Sequence, residues 1–583
     1  MVEKRIKVAI IDSGYENETY DGVFMCLVND NVVFEKDVTD KLGHGTIVTN
    51  IIKDNIENVD FFIVKLFNDE EEISEELLNC ALEYLEKNIK PDIINMSIGL
   101  TFCNDIEKLF SNCQKLKDSG SILVAAFDNN GAMSYPAAFD NVIGVDSDIS
   151  CVSIKEHYYL ENSPINIRAM GSIMRLKGRQ GRMINVQGSS FATPYITVKI
   201  IRYMQEEGRR SFESILNMLK KEAVKVIVTP SNNEVELPFK INRAITFPYN
   251  KEIETLLMND SSIEFDVCGI YDIKYMKNIG RKIYFKGKEI DIQSYKKINW
   301  DDEFDTLILG HTKEIEEFIS DKIIRDIINN AKVHKKRIYS FDARNEENIF
   351  TPVISEKNVP YKNGGKLYQI NKPILAVAGT SSKQGKFSLQ MMIKRNLEEK
   401  GCKVGHLSTE PSGYLVGADY VFPMGYNSSV FFTTAEDYIL MTNYMMKKIE
   451  EKKSDIIISG LQSQTVPMQY ANVRDMVVCN HYLLLALNPD AIILCINMVD
   501  TYDYIEKTIR YLESIVQCKV IAIVIFPMKK EIYWNVLGNM YNEEKEEVIE
   551  SKRSEIEDYF KINTYILGRG EDELCKTCID FFC

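Results

Sequence analysis

The segment QGSSFATP, residues 187–194, places two serines between a glycine and the start of an apolar helical pattern, YITVKIIRYMQ. This pattern predicts a helix that begins at or just after Ser190, so its hydroxyl and its backbone N–H lie at a helix N-terminus. A serine in that position is ordinarily an N-cap. Its meaning here depends on which other side chains the chain brings to it.

Two earlier segments predict an acid and an imidazole at one edge of a sheet. KVAIIDSG (residues 7–14) is an apolar run typical of a buried parallel strand, and it ends in Asp12. GHGTIVTNII (residues 43–52) sets His44 between two glycines, which allow another backbone to approach the imidazole. Taken alone, Asp12 is a turn former and His44 a core residue.

Two further strand patterns end at the same expected edge. DIINMSIG (residues 92–99) and SILVAAFDNNG (residues 121–131) finish in small or polar residues, and Asn129 follows the second. The alternation of strands and helices predicts an α/β domain with a doubly wound parallel sheet. A carboxylate, an imidazole, a hydroxyl and an amide at one edge are the groups that acyl transfer to a serine requires.

The order Asp, His, Ser in the motifs DSG, GHGT and GSSFATP resembles the subtilisin-like serine peptidases over about residues 5–225. The resemblance implies that Ser190 is the nucleophile and that His44 takes and returns its proton, while Asp12 orients the imidazole. It also implies that Asn129 and the backbone N–H of Ser190 hold the oxyanion.

Other parts of the same resemblance concern the substrate. NMSIG (residues 95–99) is similar to the family's substrate-binding strand, and VAAFDNNG to its oxyanion segment. Phe127 and Asp128 stand where the family usually has small residues, which points to a different pocket shape. Ser189 is expected to be a spectator.

Composition bounds the class of protein. The chain has 583 residues, of which 45% are hydrophobic and 27% charged, typical of a soluble protein of several domains. Its formal net charge of −15 argues against nucleic-acid binding, which needs a basic face. Thirteen cysteines lack regular spacing, and no export signal is visible before Asp12, so we expect reduced thiols in the cytoplasm and no propeptide.

Two segments near the C-terminus, one apolar and one with three cysteines, predict neither a membrane span nor a metal site. HYLLLALNPDAIILCINMV (residues 481–499) is interrupted by Asn488, Pro489 and Asp490 and predicts two buried strands instead of a membrane span. CKTCIDFFC (residues 575–583) lacks a fourth metal ligand nearby and predicts a plain tail.

Two charged stretches bear on substrate charge and disagree. FNDEEEISEEL (residues 67–77) favours a basic peptide, or else is a solvated acid-rich helix start. Residues 164–194 carry five cations and no acid, which favours an acidic peptide. Both alternatives stay open.

A second motif lies in the C-terminal part. ILAVAG (residues 374–379) predicts a strand that runs into a turn with Gly379 and Gly385, followed by Lys386 and a helix. This is the arrangement that cradles phosphates. The spacing departs from the standard P-loop, because five residues separate the glycines and Phe387 precedes the hydroxyl of Ser388.

This variant resembles a P-loop subgroup in which a small Rossmann-like domain precedes the nucleotide domain, over about residues 262–583. GTSSKQGKFSLQ and STEPSGYLVGADYVFPMGYNSS are similar to proteins that accompany bacterial peptide-maturation systems. The resemblance implies that ATP or GTP binds with Mg²⁺ at Gly379, Thr380, Gly385, Lys386 and Ser388, with Ser388 on the metal.

The acid that normally completes such a site is missing from its expected strand. SDIIISGLQSQ (residues 454–464) presents Ser459 and Gly460 where a carboxylate is expected, which leaves Glu410 as a substitute. We therefore expect nucleotide binding rather than fast hydrolysis. The alternative is a glycine-rich turn that binds no nucleotide.

Together these patterns predict a subtilisin-like peptidase domain at residues 1–245, a small Rossmann-like α/β domain at 246–365 and a P-loop domain at 366–583. A Pro- and Asn-rich stretch marks the first boundary, and His311 and His334 are too isolated to count as ligands.

The predicted function is an intracellular serine endopeptidase that processes a ribosomally made peptide, with peptide-maturation enzymes as partners and no cofactor needed for proteolysis. One alternative is an ATP-dependent peptide-modifying enzyme whose N-terminal domain holds the substrate. The other is a catalytically silent scaffold.

Overall fold

In the computed structural model the chain forms two compact units. Unit 1 comprises Met1–Ser231 and Pro360–Asn371, and unit 2 comprises Asn232–Val359 and Lys372–Cys583. The structure describes residues 5–16, 20–29, 31–67, 73–129, 131–228, 235–344, 346, 348–360, 365–425, 427–471, 476–530 and 541–582.

Unit 1 is built from short strands and longer helices. Its strands are β1 (Ile6–Asp12), β2 (Asp21–Val28), β3 (Asn31–Glu35), β4 (Val59–Lys65), β5 (Ile93–Met96), β6 (Ile122–Ala126), β7 (Ile143–Ser147), β8 (His157–Glu161), β9 (Ile167–Ala169), β10 (Met174–Lys177), β11 (Met183–Val186) and β12 (Lys225–Val228). Its helices are α1 (His44–Asn55), α2 (Glu75–Tyr84), α3 (Ile106–Asp118), α4 (Ser189–Glu207) and α5 (Phe212–Glu222).

A ten-stranded sheet with the order β12-β8-β9-β7-β6-β5-β1-β4-β2-β3 organises unit 1. Among its described strands, only the pairs β8–β9 and β2–β3 are antiparallel. Parallel strands end at a common edge. The ends of β1, β5 and β6 therefore bring Asp12, Ser97 and Asn129 to the same edge, and the separate hairpin β10–β11 leads into α4.

Two hydrophobic cores lie on opposite faces of this sheet. Val8 and Ile10 of β1 pack with residues of α1 and α4, whereas Ala9 and Ile11 pack with residues of α2 and α3. Because both faces are covered, β1 is apolar without the alternation of a half-exposed strand. The predicted doubly wound α/β architecture is confirmed.

Unit 2 contains the remaining elements. Its strands are β13 (Arg243–Phe247), β14 (Asp266–Asp272), β15 (Lys282–Phe285), β16 (Lys288–Ser294), β17 (Thr306–Leu309), β18 (Arg337–Ser340), β19 (Ile349–Phe350), β20 (Ile354–Ser355), β21 (Ile374–Gly379), β22 (Val404–Ser408), β23 (Tyr420–Val421), β24 (Val430–Phe431), β25 (Ile456–Gly460), β26 (Ala491–Asn497), β27 (Lys519–Phe526), β28 (Met528–Lys530), β29 (Tyr541–Glu543) and β30 (Asn563–Ile566). Its helices are α6 (Lys251–Met258), α7 (Lys313–Ile315), α8 (Asp321–Val333), α9 (Lys386–Glu399), α10 (Ala435–Glu451), α11 (Val478–Leu487), α12 (Tyr502–Ile515), α13 (Glu546–Phe560) and α14 (Glu571–Phe582).

Two seven-stranded sheets form the framework of unit 2. The first has the order β15-β16-β14-β13-β17-β18-β19, and the second has the order β23-β22-β25-β21-β26-β27-β30 with every neighbouring pair parallel. β21 is central in the second sheet, so the glycine-rich loop leaves the middle of its carboxyl edge. Phe387 and Met391 of α9 pack with Tyr339 and Phe341 from the first sheet.

Three sequence-based expectations differ from the structure. Residue 245 lies inside β13, which pairs with β14 and β17, so the Pro- and Asn-rich stretch leads into a strand of unit 2. Residues 478–487 form α11, which ends at Asn488 with a φ of 43°, where a strand was expected. The C-terminal tail is α14, whose Cys575 and Cys578 are buried in the core of the second sheet. The division into three domains stays a prediction.

Within the described ranges, no helix combines the length and apolarity that crossing a bilayer requires. The same residues hold no group of three or more His, Cys, Asp or Glu side chains arranged around a metal ion.

Candidate active site

Asp12, the last residue of β1, is fully buried and lies against His44, the first residue of α1. Nδ1 of His44 lies 2.7 Å from Oδ1 of Asp12, and the N–H of Ser13 donates to the same oxygen at 2.7 Å. Oδ2 of Asp12 is buried and has no hydrogen-bond partner in the described part of the chain. The carboxylate is thus buried from solvent and fixes one ring nitrogen of His44.

The close approach of β1 and α1 depends on small residues. A Cβ added to Gly45 would lie 2.3 Å from the carbonyl oxygen of Gly14, so any larger residue there would push the helix away. Gly45, the glycine that follows His44, therefore lets the backbone at Gly14 approach the helix, as predicted for the glycines beside His44.

Burial lowers the pKa of His44, but the charge and hydrogen bond of Asp12, together with the charge of Asp40, outweigh it. The net effect is a pKa above the ordinary 6.5. His44 therefore holds a proton on its ring more readily than a free histidine, which suits a group that must become imidazolium during a reaction.

Ser190 is half-buried in the first turn of α4. Its carbonyl oxygen accepts a hydrogen bond from Oγ of Ser97 at 2.9 Å, and the ring of Phe191 lies 5.1 Å from the ring of His44, centroid to centroid. No hydrogen bond joins the Ser190 hydroxyl to His44 among the described residues. The structure thus pairs Asp12 with His44 and sets the turn that carries Ser190 beside the imidazole.

Asn129 is held by the residue before Ser190. The N–H and the Oγ of Ser189 each donate to Oδ1 of Asn129 at 2.9 Å, and the same hydroxyl contacts the carbonyl oxygen of Phe127. These two hydrogen bonds fix Oδ1 and so set the orientation of the amide, whose Nδ2 group is its hydrogen-bond donor. Ser189, expected to be a spectator, instead anchors Asn129.

Gly188 is the one position in this turn that tolerates no side chain. Its φ is 118°, and a Cβ there would lie 2.6 Å from Oδ1 of Asn129. The glycine in the GSS motif is therefore required by both its backbone conformation and its contact with the asparagine.

The glycine-rich loop of unit 2 runs from Gly379 to Gly385, immediately before α9. Nζ of Lys386 donates to the carbonyl oxygens of Ser381 and Ser463, at 2.7 and 3.0 Å. The side chain is 8% exposed, and burial lowers its pKa to about 8, opposed by Cys495 and Glu410. A buried ammonium that follows a glycine-rich loop at the start of a helix fits a phosphate.

The other residues predicted for this loop occupy distinct environments. Oγ1 of Thr380 contacts Oδ2 of Asp500 and accepts a hydrogen bond from Nε2 of Gln384 at 2.7 Å. Ser388 is half-buried in the first turn of α9. Burial raises the pKa of Glu410, whose Oε1 accepts from Nε2 of Gln462 at 3.0 Å, and Lys386 acts in the opposite direction.

Comparison with known protein families separates the two parts of the chain. Residues 3–237 match the model of the subtilase family. These residues form a subtilase-family domain. Residues 362–573 match the P-loop domain of DUF1611, a family of unknown function. The comparison with curated proteins gives no match.

Solved structures are similar to each part in turn. A DUF1611 family protein from Anabaena variabilis is 12% identical, with a TM-score of 0.44, and the match covers 58% of this chain and 100% of that one. A cold-adapted subtilisin-like serine proteinase is 20% identical (TM-score 0.31, 40% of this chain and 84% of the other). The epidermin leader peptide processing serine protease of Staphylococcus aureus is 18% identical (TM-score 0.29, 37% and 69%).

In the subtilase domain, sequence reasoning missed Asp40. Its Oδ1 accepts from Oγ of Ser13 at 2.9 Å and from the N–H of Gly43 at 2.8 Å, while its Oδ2 accepts from the N–H and Oγ1 of Thr46 at 2.8 and 2.7 Å. Asp40 thereby ties the end of β1 to the start of α1. The available signal is an acid four residues before His44.

Two acids of unit 2 were also missed. Asp500 follows β26, and its Oδ2 also accepts from the N–H of Asn497 at 2.7 Å, while burial raises its pKa. Asp342 follows β18, and its Oδ1 lies 2.6 Å from Nδ1 of His311, a residue that looked isolated in the sequence. Burial alone would raise the pKa of Asp342, but the His311 contact helps to lower it to about 2.

The two charged stretches of the subtilase domain still favour peptides of opposite charge. Part of the acid-rich stretch, residues 68–72, lies outside the described residues, and α2 begins with Glu75 and Glu76 in its first turn. In the basic segment, Arg168 pairs with Asp148 at 3.7 Å, while Arg175, Lys177 and Arg182 are exposed on the β10–β11 hairpin.

Proposed function

We propose that the subtilase domain is a serine endopeptidase that cleaves a peptide bond through an acyl-enzyme on Ser190. The observation that carries the proposal is the 2.7 Å contact between a buried Asp12 and Nδ1 of His44, beside the turn that bears Ser190. This contact leaves Nε2 as the ring nitrogen that exchanges a proton.

In this mechanism the Ser190 oxygen attacks the carbonyl carbon of the substrate as its proton passes to Nε2 of His44. The imidazolium is stabilised by Asp12 and returns the proton to the leaving amine as the C–N bond breaks. Water then attacks the ester carbon as His44 takes its proton, and the C–O bond to Ser190 breaks as His44 returns that proton to the serine oxygen, which frees the acid product and restores the enzyme. The Ser190–His44 hydrogen bond must form when substrate binds, as catalytic hydrogen bonds often tighten only in the complex.

The finer proposal concerns the substrate and setting. The motifs of the C-terminal part resemble proteins that accompany bacterial peptide-maturation systems, which favours an intracellular enzyme that removes a leader from a ribosomally made peptide. To test it, the purified protein is incubated with candidate peptides encoded near its gene, with and without ATP and magnesium, and the masses of the products are measured by mass spectrometry. We expect two fragments whose masses sum to the peptide plus one water. An intact peptide of increased mass would instead support the peptide-modifying alternative.

Replacing Asn129 by alanine is expected to lower kcat with little change in KM, because the Nδ2 donor serves the oxyanion and not the ground state. The loss of such an asparagine in a subtilisin costs about 10²–10³ in kcat, and we adopt that scale. Steady-state cleavage of one peptide measures it. Asn104→Ala, an exposed site, is the matched control. Equal kcat values for Asn129→Ala and wild type would remove Asn129 from the mechanism.

We also infer that unit 2 binds ATP or GTP with Mg²⁺. Gly379, Thr380, Gly385 and Lys386 would hold the phosphates, with Ser388 on the metal and Glu410 as the nearby acid. The buried ammonium of Lys386 favours this function. A bound nucleotide would bring the negative charge of its phosphates, and a bound Mg²⁺ would neutralise part of that charge.

Replacing Lys386 by alanine is expected to weaken nucleotide binding about 10- to 100-fold, the range for losing one charge-assisted hydrogen bond. Equilibrium binding of a fluorescent ATP analogue with magnesium measures this effect. The control is Lys576→Ala on the exposed side of α14. If both variants bound the analogue as tightly as the wild type, Lys386 and its loop would not be part of the nucleotide site.

A further inference from the structure

A short segment far along the chain belongs to unit 1. We call residues 365–368 the strap; they lie beyond the 3–237 range that matches the subtilase family. Leu367 bridges to Ala132 in parallel, and its carbonyl oxygen accepts from the N–H of Met133 at 2.9 Å. Tyr368 packs against the core beneath α2 and α3. The strap is thus an integral part of this unit.

The strap also contributes a buried cation. Nζ of Lys366 donates to the carbonyl oxygen of Asp128 at 2.7 Å and lies 3.5 Å from Oδ1 of Asp146. The side chains of Lys366 and Asp146 are 8% and 9% exposed. Burial raises the pKa of Asp146 and the charge of Lys366 opposes the rise. Losing one member of such a pair leaves an uncompensated buried charge.

Both strap contacts fall on the loop that carries Asn129. The carbonyl of Asp128 is fixed by Lys366, the N–H of Asp128 donates to Oγ of Ser134 at 2.8 Å, and the N–H of Met133 is fixed by Leu367. Asn129 lies between these anchors and reaches Ser189. We call residues 128–133 the oxyanion loop, of which residue 130 is outside the described residues.

We propose that Lys366 is a positioning residue for the oxyanion loop, so that the subtilase domain is incomplete without a strap located just before β21 and the glycine-rich loop. This inference rests on the proposed peptidase function.

The test is Lys366→Met in the full-length chain, with Lys366→Arg as the conservative variant and exposed Lys357→Met as the matched control. In Lys366→Met we expect kcat to fall about 10- to 100-fold with KM within about twofold, as a small misplacement of a catalytic group produces. A peptide aldehyde, which forms an oxyanion on the serine, should lose affinity by a similar factor. Hydrogen exchange at Met133 should become faster, and Lys366→Arg should preserve each value more closely.

A double variant, Asp146→Asn with Lys366→Met, keeps the inference testable if the single variant fails to fold. It removes both charges, but the hydrogen bond from Lys366 to the carbonyl oxygen of Asp128 is still lost, so fast exchange and a low kcat are expected to persist. Full recovery would show that Lys366 only neutralises Asp146 and would overturn the inference. Wild-type exchange and kcat in a folded Lys366→Met would also overturn it.

Failure of the proposed function gives a different result. If the wild-type protein neither cleaves peptides nor binds the aldehyde, the peptidase assignment fails. Exchange at Met133 in Lys366→Met then still decides whether Lys366 holds the loop. Unchanged exchange would overturn its positioning role, and faster exchange would retain that role in a site with another use.

Discussion

Replacing Ser190 with alanine is expected to lower the rate of peptide cleavage about 10⁶-fold, the scale measured for a lost nucleophile in a subtilisin. Without Oγ no acyl-enzyme can form, and Asp12 and His44 have no alcohol to activate. The variant should still fold, because its carbonyl, which holds Ser97, is unchanged. Cleavage of one peptide by a large excess of enzyme over long incubations gives the rate.

Ser119→Ala provides the matched control for that loss. Ser119 is exposed at the end of α3, where its hydroxyl donates to the carbonyl oxygen of Lys115 at 2.8 Å. Its cleavage rate should equal that of the wild type. If Ser190→Ala retained a comparable rate, the cleaving activity would have to come from another residue or from a contaminant.

Replacing Asp12 with asparagine is expected to lower kcat about 10⁴-fold, the scale known for the equivalent change in a serine-protease triad. The asparagine keeps the size of the side chain but no longer holds Nδ1–H or stabilises the imidazolium. Exposed Asp21→Asn is the control and should leave kcat unchanged. A loss of less than about tenfold in Asp12→Asn would separate the buried acid from catalysis.

Asp12→Asn is also expected to shift the pH dependence of kcat/KM to lower pH. His44 must be neutral to accept the proton, so kcat/KM should rise with pH through the pKa of His44 in the wild type. Although burial lowers that pKa, Asp12 makes the net shift upward. Asp12→Asn removes the raising charge, so the rising limb of the profile should move to lower pH. A limb that stays fixed would assign it to another group.

The placement of Asp12 and His44 could be anticipated from local signals, because an uninterrupted apolar strand delivers Asp12 to a sheet edge and glycines flank His44. The contact between the two residues was implied by the resemblance to the subtilisin-like peptidases. Lys366 carries no such signal, since its two partners, Asp128 and Asp146, lie more than two hundred residues earlier in the chain. Tertiary contacts of that separation do not follow from a local pattern.

The differences in secondary structure have a similar origin. Residues 482–487 form an uninterrupted apolar run, so their periodicity does not separate a buried helix from a buried strand, and the structure shows that they belong to α11. His311 looked isolated because Asp342 comes from a neighbouring parallel strand, β18, and not from the same segment. Ser189 looked like a spectator because its partner Asn129 is sixty residues away.

The most direct measurement of the central claim is labelling with a serine-directed fluorophosphonate, followed by peptide mapping. We predict one covalent adduct on the peptide that contains Ser190, lost in Ser190→Ala and strongly slowed in Asp12→Asn. A folded wild-type protein that takes up no label at Ser190, under conditions that label an active serine peptidase, would contradict the proposed nucleophile and favour a silent binding scaffold.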